Sequence, residues 1–179
     1  LSCLKRSISK REMADVKVGS LLSGGLDSSI LTALSNVKNT WSIGFDNNNE
    51  FYWAEKVAKF LKKKHQSIEY NSNKFLEHLT FMVTKLKKPL CVPNEVLTFN
   101  LSGQIKKENT VVLSGEGADE IFLGYNRIFN WSFNNPFDLE EFDSHYSYGS
   151  HKDNEIIEYT LAPYLKYKDN NLKLIHKFF

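Results

Sequence analysis

The chain has 179 residues, 41% of them hydrophobic and 25% charged, which suits one soluble domain with a real core and excludes wholesale disorder. Its 23 Lys and Arg against 21 Asp and Glu leave a formal charge of +2, so charge gives no argument for a nucleic acid or a membrane as partner. No apolar run approaches the ~18 residues that span a bilayer, and two cysteines, Cys3 and Cys91, make neither a disulfide framework nor a four-ligand zinc site, so a reduced, cytoplasmic protein is expected.

In chain order, Leu4 and Ile8 share one side of a basic stretch, which predicts a surface helix ending near Met13. Val16 to Leu22 reads as a strand that stops at Ser23-Gly24-Gly25, and Leu26, Ile30, Ala33, Leu34 and Val37 follow at helical spacing. Thr40 to Phe45 is a second strand, broken by Asp46 and three asparagines. Trp53, Ala54, Val57, Ala58 and Leu61 mark a helix, Gln66 to Tyr70 a short strand, and Phe75, Leu76, Leu79, Met82, Val83 and Leu86 another helix. Pro89 and Pro93 bracket a turn before a weaker helix with Leu97, Leu101 and Ile105, and Thr110 to Leu113 is the last strand. From Asn126 the period fades among Phe129, Trp131, Phe133, Phe137, Phe142, Tyr146 and Tyr148, an irregular subdomain rather than a base-stacking platform, since basic residues are scarce there. Alternating strands and helices predict βαβ crossovers and a parallel sheet, with a ligand beyond the carboxyl ends of the strands. Both glycine-bearing turns, after Leu22 and after Leu113, belong to that edge.

The first carries Leu22-Ser23-Gly24-Gly25-Leu26-Asp27-Ser28-Ser29 at a strand-to-helix junction. Two glycines let backbone N–H groups approach an anion, Ser23, Ser28 and Ser29 add hydroxyls, and the helix presents its positive end. Asp27 fits once a Mg²⁺ ion joins the phosphates. An ordinary turn with Asp27 and Ser28 as helix-start residues is the bland alternative. No lysine follows the glycines, so this is not a Walker loop. The second motif, Val112-Leu113-Ser114-Gly115-Glu116-Gly117-Ala118-Asp119-Glu120, ends a strand and puts three carboxylates within five residues. At i and i+3, Glu116 and Asp119 would share one side of a helical turn, while Glu120 reads as a helix N-terminus acid.

The octet resembles the pyrophosphate loop of the N-type ATP pyrophosphatases, which cleave ATP between the α and β phosphates. The second motif, extended to Tyr125, resembles the glutamine-dependent asparagine synthetases, as do Ala14-Asp15-Val16-Lys17-Val18-Gly19 and Trp41-Ser42-Ile43-Gly44-Phe45. The likeness covers residues 4 to 127 in the family's order. It implies a three-layer α/β/α fold with a parallel sheet, of the adenine nucleotide hydrolase-like type, with residues 1–127 as the ATP-binding core and 128–179 as an irregular, helical continuation. It implies that Ser23, Gly24, Gly25, Asp27 and Ser28 hold the pyrophosphate of ATP, that Asp27 and Asp119 share Mg²⁺, and that the backbones of Leu22 and Ile43 and the Ser114-Gly115 pair bracket adenosine. Glu116 falls where the family handles formation and amination of an acyl-adenylate. The implied reaction joins the side-chain carboxylate of aspartate to AMP and lets ammonia displace it, with a glutaminase domain or subunit as ammonia source and a homodimer as assembly.

The chain also departs from that pattern. It opens on Leu1 rather than Met, Cys3 is not in a glutaminase context, and Leu161 and Lys166 flank Ala162-Pro163-Tyr164-Leu165 where the family has Arg and Asp. A segment of something longer is expected, with no lysine assigned to the family's late phosphate contact, and Lys88 stands before Pro89 where relatives often carry an acid. The histidines, His65, His78, His145, His151 and His176, lack ligand spacing. Cys91 reads as a structural thiol, buried or half-exposed. Trp53, Phe60 and Phe75 read as core-facing, Lys62 to Lys64 as a solvated helix end, and Asp138, Glu140, Glu141 and Asp143 as a solvated acidic surface. Competing functions are ligation of another carboxylate, as in β-lactam-forming relatives, tRNA thiolation, which the missing Cys-x-x-Cys disfavours, and a non-catalytic ATP-binding module.

Overall fold

The computed structural model describes residues 1–46, 48–122, 124–136, Asp138, Glu141, Ala162 and Lys166, with residue 129 by its backbone alone. The chain divides into two compact units, Leu1–Gly115 and Glu116–Phe179. Sequence readings on Leu123, residues 137, 139–140 and 142–161, and most of 163–179 lie outside the described residues.

The first unit runs α1 (Ser2–Arg11), β1 (Val18–Leu21), α2 (Leu26–Leu34), β2 (Asn39–Phe45), α3 (Phe51–Phe60), β3 (Lys64–Tyr70), α4 (Asn73–Leu86), α5 (Asn94–Ile105) and β4 (Val111–Leu113). The four strands form one sheet in the order β3-β2-β1-β4, all pairs parallel, as the alternation predicts. The chain steps outward from β1 to β3 and then crosses back to β4 on the other side of β1. The edge between β1 and β4 is thus the switch point where such sheets bind ligands.

Helices cover both faces, giving the expected three-layer α/β/α arrangement. Strand partners in register share a face, so Leu21, Trp41, Ile43, Ile68 and Val112 stand together and pack against Leu101 and Ile105 of α5. On the opposite face Leu22 meets Ala54 and Ala58 of α3, while Leu113 and Val18 meet Ile8 of α1, Val37, and Leu31 and Leu34 of α2. α4 leans on α5 through rings, His78 meeting Phe99 edge-on and Phe81 meeting it at a tilt.

Several side chains sit otherwise than their spacing predicts. On α2, Leu26 is 74% exposed and Ile30 and Ala33 are also exposed, whereas Thr32 and then Ser35 are buried. Hydrogen bonds explain it: Thr32 Oγ1 lies 3.0 Å from Ser20 Oγ, and the Ser35 hydroxyl donates to the Thr32 carbonyl. Trp53 and Phe60 are 57% and 85% exposed rather than core-facing, because α3 docks closely through its two alanines and leaves bulky neighbours outside; Phe75 is half-buried against Phe45. Lys63 is not part of a solvated helix end. Its ammonium donates to the carbonyls of Ser35 (3.0 Å) and Val37 (2.7 Å), and burial lowers its pKa. Lys62 takes a left-handed φ of 55° that turns the chain out of α3, and Lys64 already belongs to β3. Cys91 is exposed, in a turn whose N–H groups, its own and that of Val92, donate to Glu95 Oε1.

In the second unit, α6 (Ala118–Phe122) and α7 (Asn126–Asn134) are described. α7 is a regular helix where the aromatic crowding hid any period; Ile128, Trp131 and Ser132 form its buried side. The Trp131 indole donates to Glu141 Oε2 at 2.7 Å, and Asp138 Oδ1 accepts the Glu141 N–H, so these acids serve the local packing.

Candidate functional site

The turn after β1 is built by backbone that only glycine accommodates. Gly24 has φ +89°, and a Cβ there would lie 2.5 Å from the Ala54 nitrogen and 2.6 Å from the Trp53 carbonyl carbon. The loop is therefore pressed against the first turn of α3. Gly25 then starts α2 with no side chain capping it, and the first helical bond runs from Ser29 N–H to the Gly25 carbonyl at 3.1 Å. The N–H groups of Leu26, Asp27 and Ser28 ahead of that bond have no intrahelical acceptor and form the positive end of the helix.

Ser23 and Ser28 close the loop from its two ends. Their hydroxyl oxygens are 2.9 Å apart, the Ser28 hydroxyl donates to the Gly25 carbonyl at 3.2 Å, and the Gly25 N–H donates to Ser23 Oγ at 3.3 Å. All of these groups lie at the surface, where an anion can replace their mutual bonds. Asp27 extends from the first turn of the same helix. Ser29, read as a third hydroxyl donor, does not join them: its Oγ is buried and has no hydrogen-bond partner among the described residues.

The second glycine turn meets the first, as the strand order requires. A Cβ on Gly115 would lie 3.0 Å from the Ser28 nitrogen and 3.3 Å from the Asp27 carbonyl carbon, so the backbone after β4 crosses the start of α2 at van der Waals distance. Leu22 is wholly buried and its N–H donates to the Trp41 carbonyl at 2.8 Å, which leaves its carbonyl as the polar group it can offer a ligand. Ile43 lies near the carboxyl end of β2, paired with Ile68, its side chain turned into the α5 face. The structure thus brings together Leu22, Ser23, Gly24, Gly25, Asp27, Ser28, Ser114 and Gly115, with Ile43 one strand away.

Glu116, Asp119 and Glu120 open the second unit. Gly117, at φ +87°, turns the chain between Glu116 and α6, so Glu116 precedes the helix and does not share a helical turn with Asp119 as i, i+3 spacing suggests. The Asp119 carboxylate fills the space beside Gly124, where a Cβ would overlap its Oδ1, and the Asp119 carbonyl accepts the Gly124 N–H at 3.0 Å. The Tyr125 hydroxyl donates to Glu120 Oε1, giving Glu120 a structural partner. Among the described residues no three His, Cys, Asp or Glu side chains gather as an all-protein metal cage. No helix among them is long and apolar enough to cross a membrane.

Against this geometry, residues 1–175 match the family model of asparagine synthase. The chain belongs to the asparagine synthase family. It is 32% identical over 143 residues to asparagine synthetase [glutamine-hydrolyzing] 1 of Bacillus subtilis, covering 76% of this chain and 22% of that protein. It is 33% identical over 133 residues to the asparagine synthetase [glutamine-hydrolyzing] of Rattus norvegicus, covering 66% and 24%. The chain therefore spans about a quarter of the length of these family members. Among solved structures, an NMN synthetase from Francisella tularensis superposes with a TM-score of 0.50 at 15% identity over 99% of this chain and 90% of that one, which bears on the fold alone.

His65 lacks metal-ligand spacing in the sequence and carries no other signal there. In the structure it joins two strands behind the site, through Thr40 and Ser42. Only the register of β2 against β3 reveals that, and a lone histidine in Lys-His-Gln-Ser carries no signal of it.

Proposed function

We propose that this chain is the ATP-binding part of an amide-forming ligase that adenylates the side-chain carboxylate of aspartate, releasing pyrophosphate, for attack by ammonia. The observation that carries the reading is the uncapped start of α2, where free backbone N–H groups, two facing serine hydroxyls and the closely crossing Gly115 form a cradle for a phosphate chain. Membership of the asparagine synthase family supports the reaction class.

In this reading Ser23, Gly24, Gly25 and Ser28 bind the pyrophosphate of ATP, and the Leu22 carbonyl, the Ile43 backbone and Ser114-Gly115 contact adenosine. Residues 1–127 supply this core, which 128–179 continue. A carboxylate resists attack by ammonia until one of its oxygens becomes a leaving group. Transfer of AMP to that oxygen breaks the α–β phosphate bond; ammonia then forms the C–N bond, and AMP departs with the C–O electron pair. The loop N–H groups stabilise charge on the departing pyrophosphate. Glu116 is assigned to the acyl-adenylate end. Mg²⁺ would be held by Asp27 and Asp119 with phosphate oxygens as its other ligands; a donor set of one or two carboxylates is what Mg²⁺ takes beside a nucleotide, and its positive charge would offset the phosphates. Ammonia comes from a glutaminase part of the same protein or of a partner subunit, and the assembly is a homodimer in the cytoplasm.

Exchange of labelled pyrophosphate into ATP tests this directly. Aspartate-dependent exchange with Mg²⁺, lost in Asp27→Ala, is the expected outcome. Binding of Mg-ATP without exchange would redirect the substrate to another carboxylate. Absence of binding would overturn the ligase reading.

A further inference from the structure

Behind the phosphate turn, on the face of the sheet beneath α2 and α3, hydroxyls line up across the strands. Thr40 and Ser42 flank Trp41 on β2 and point to the same face. One imidazole joins them: Thr40 Oγ1 lies 2.8 Å from Nδ1 of His65, and Ser42 Oγ lies 3.1 Å from its Nε2. Thr40 is wholly buried, Ser42 nearly so, and His65 half-buried.

Proton accounting fixes the ring's state. The Thr40 hydroxyl also lies 3.1 Å from the Lys64 carbonyl, which can only accept, so Thr40 donates its single proton there. Thr40 must then accept from the ring, which places the hydrogen on Nδ1. The neutral ring's Nε2 is left as an acceptor, and Ser42 donates to it. Each group in the cluster is satisfied in this one tautomer.

The cluster lies next to the proposed adenosine contacts. Ser42 directly precedes Ile43, and the Trp41 carbonyl between Thr40 and Ser42 accepts the Leu22 N–H that aligns the end of β1. We infer that His65 is a positioning residue of the nucleotide site: as the Nδ1–H tautomer it holds Thr40 and Ser42 in register, fixing the backbones of Leu22 and Ile43 at the carboxyl ends of β1 and β2, and its protonation weakens that hold by reversing the Ser42 bond. The inference rests on the ATP-binding reading given above.

The surroundings favour the neutral ring. Burial lowers the His65 pKa below its ordinary 6.5, and the Glu55 carboxylate on α3 opposes this in part. Glu55 is itself engaged by the Ser67 hydroxyl at 3.0 Å. The strands β1 and β2 bring no ionisable side chain, and Asp27, at the site itself, is the only one on α2. On β3 the Lys64 ammonium is drawn to Glu108 at 3.0 Å, and on α3 the Lys56 ammonium sits over the rings of Tyr52 and Trp53. A proton on Nε2 would make Ser42 the acceptor of that bond and leave the proton of this nearly buried hydroxyl without a partner among the described residues.

Calorimetry of Mg-ATP binding to the full chain between pH 8 and pH 5.5 tests the role, with two substitutions that split the ring's contacts. His65→Gln reaches the Nε2 position and does not titrate; His65→Asn reaches only the Nδ1 position. At pH 8 each variant keeps one of the ring's two contacts and loses the other, so each should bind about tenfold more weakly than wild type, one hydrogen bond's worth. Toward pH 5.5 wild type should lose more affinity than His65→Gln, by less than about tenfold because the lowered pKa leaves the ring only partly protonated there; His65→Gln carries the titration of ATP itself as a common control. Wild-type ¹⁵N spectra should show Nδ1 protonated and Nε2 bare at pH 8, a readout that stands even where a variant fails to fold. Superimposable pH profiles for wild type and His65→Gln, wild-type affinity in His65→Asn, or the Nε2–H tautomer would overturn the positioning role while leaving ATP binding intact. Absence of binding by wild type at pH 8 would overturn both.

Discussion

The two faces of the sheet are built on different principles. Beneath α5 the contact is apolar: Trp41, Leu101 and Ile105 pack with Leu21, Ile43, Ile68 and Val112. Beneath α2 and α3 the sheet offers two hydrogen-bonded groups, Ser20 with Thr32 of α2, and Thr40 and Ser42 with His65, with Leu22, Ala54 and Ala58 filling the remainder. An apolar interface is not directional, because dispersion and area burial do not depend on which atoms are paired. A hydrogen-bonded interface fixes one register, because a partner missed leaves a buried polar group unpaired. The polar face is the one under the phosphate turn. The face opposite the site supplies adhesion, and the face beneath it supplies alignment.

The difference can be broken most sharply from the apolar side. Leu101→Ala should lower stability by about 3 kcal/mol, the transfer and cavity cost of a buried leucine, read from the urea midpoint. Mg-ATP affinity of the folded variant should be unchanged. A loss of affinity comparable to the loss of stability would mean that the α5 face also aligns the site.

Gly19→Ala should cost about 2 kcal/mol, since its Cβ would fall 2.2 Å from Trp41 Cζ3 and force the indole to move. That atom belongs to the six-membered ring of tryptophan. Trp41→Phe should therefore rescue Gly19→Ala by about 1 kcal/mol in a double-mutant cycle. Alone, Trp41→Phe should cost little for its size. The indole Nε1 is buried with no hydrogen-bond partner among the described residues, so its removal also removes a desolvated donor. Independent effects in the cycle would show that the ring is not what confines Gly19.

Apolar periodicity made the first face legible and left the second dark. Leu101 and Ile105 read correctly because their burial follows hydrophobicity, and the strands of residues 40–45 and 110–113 because β-branched and aromatic residues dominate them. Thr32 and Ser35 did not, since a hydroxyl counts as solvent-facing until its partner in another element is known. Of the helical-spacing set Leu26, Ile30, Ala33, Leu34 and Val37, only Leu34 and Val37 pack in the core, and the polar Lys64 and His65 hide the first two residues of β3. The phosphate turn was legible because its geometry demands glycine at particular places, and Gly24 and Gly115 stand where a side chain would strike neighbouring backbone. Glu116 was misplaced onto a helix because Gly117 breaks the turn, and spacing alone does not report a positive φ.

On the polar side, Ser20→Ala should cost about 1 kcal/mol by leaving the buried Thr32 hydroxyl without its partner. Replacing both residues, Ser20→Ala with Thr32→Val, should recover part of that loss, since no orphaned hydroxyl remains. A double variant as unstable as the sum of its parts would mean that packing, and not pairing, governs this face.

The smallest effect expected is on the pH dependence of stability, and it has a definite sign. Burial holds the His65 pKa below 6.5 in the folded chain, so between that lowered value and about 6.5 the unfolded chain binds more protons than the folded one. Stability from this group is therefore complete above about pH 6.5 and is lost as the pH falls toward the folded pKa. Wild type should lose more stability than His65→Gln across that window in urea titrations, and the two should run parallel above it. Carboxylates that titrate lower add the same slope to both proteins and cancel in the difference. A difference that instead grows toward alkaline pH would mean that the folded state stabilises the imidazolium, with the Glu55 charge outweighing burial. The polar face would then be held together by a charge rather than by a tautomer.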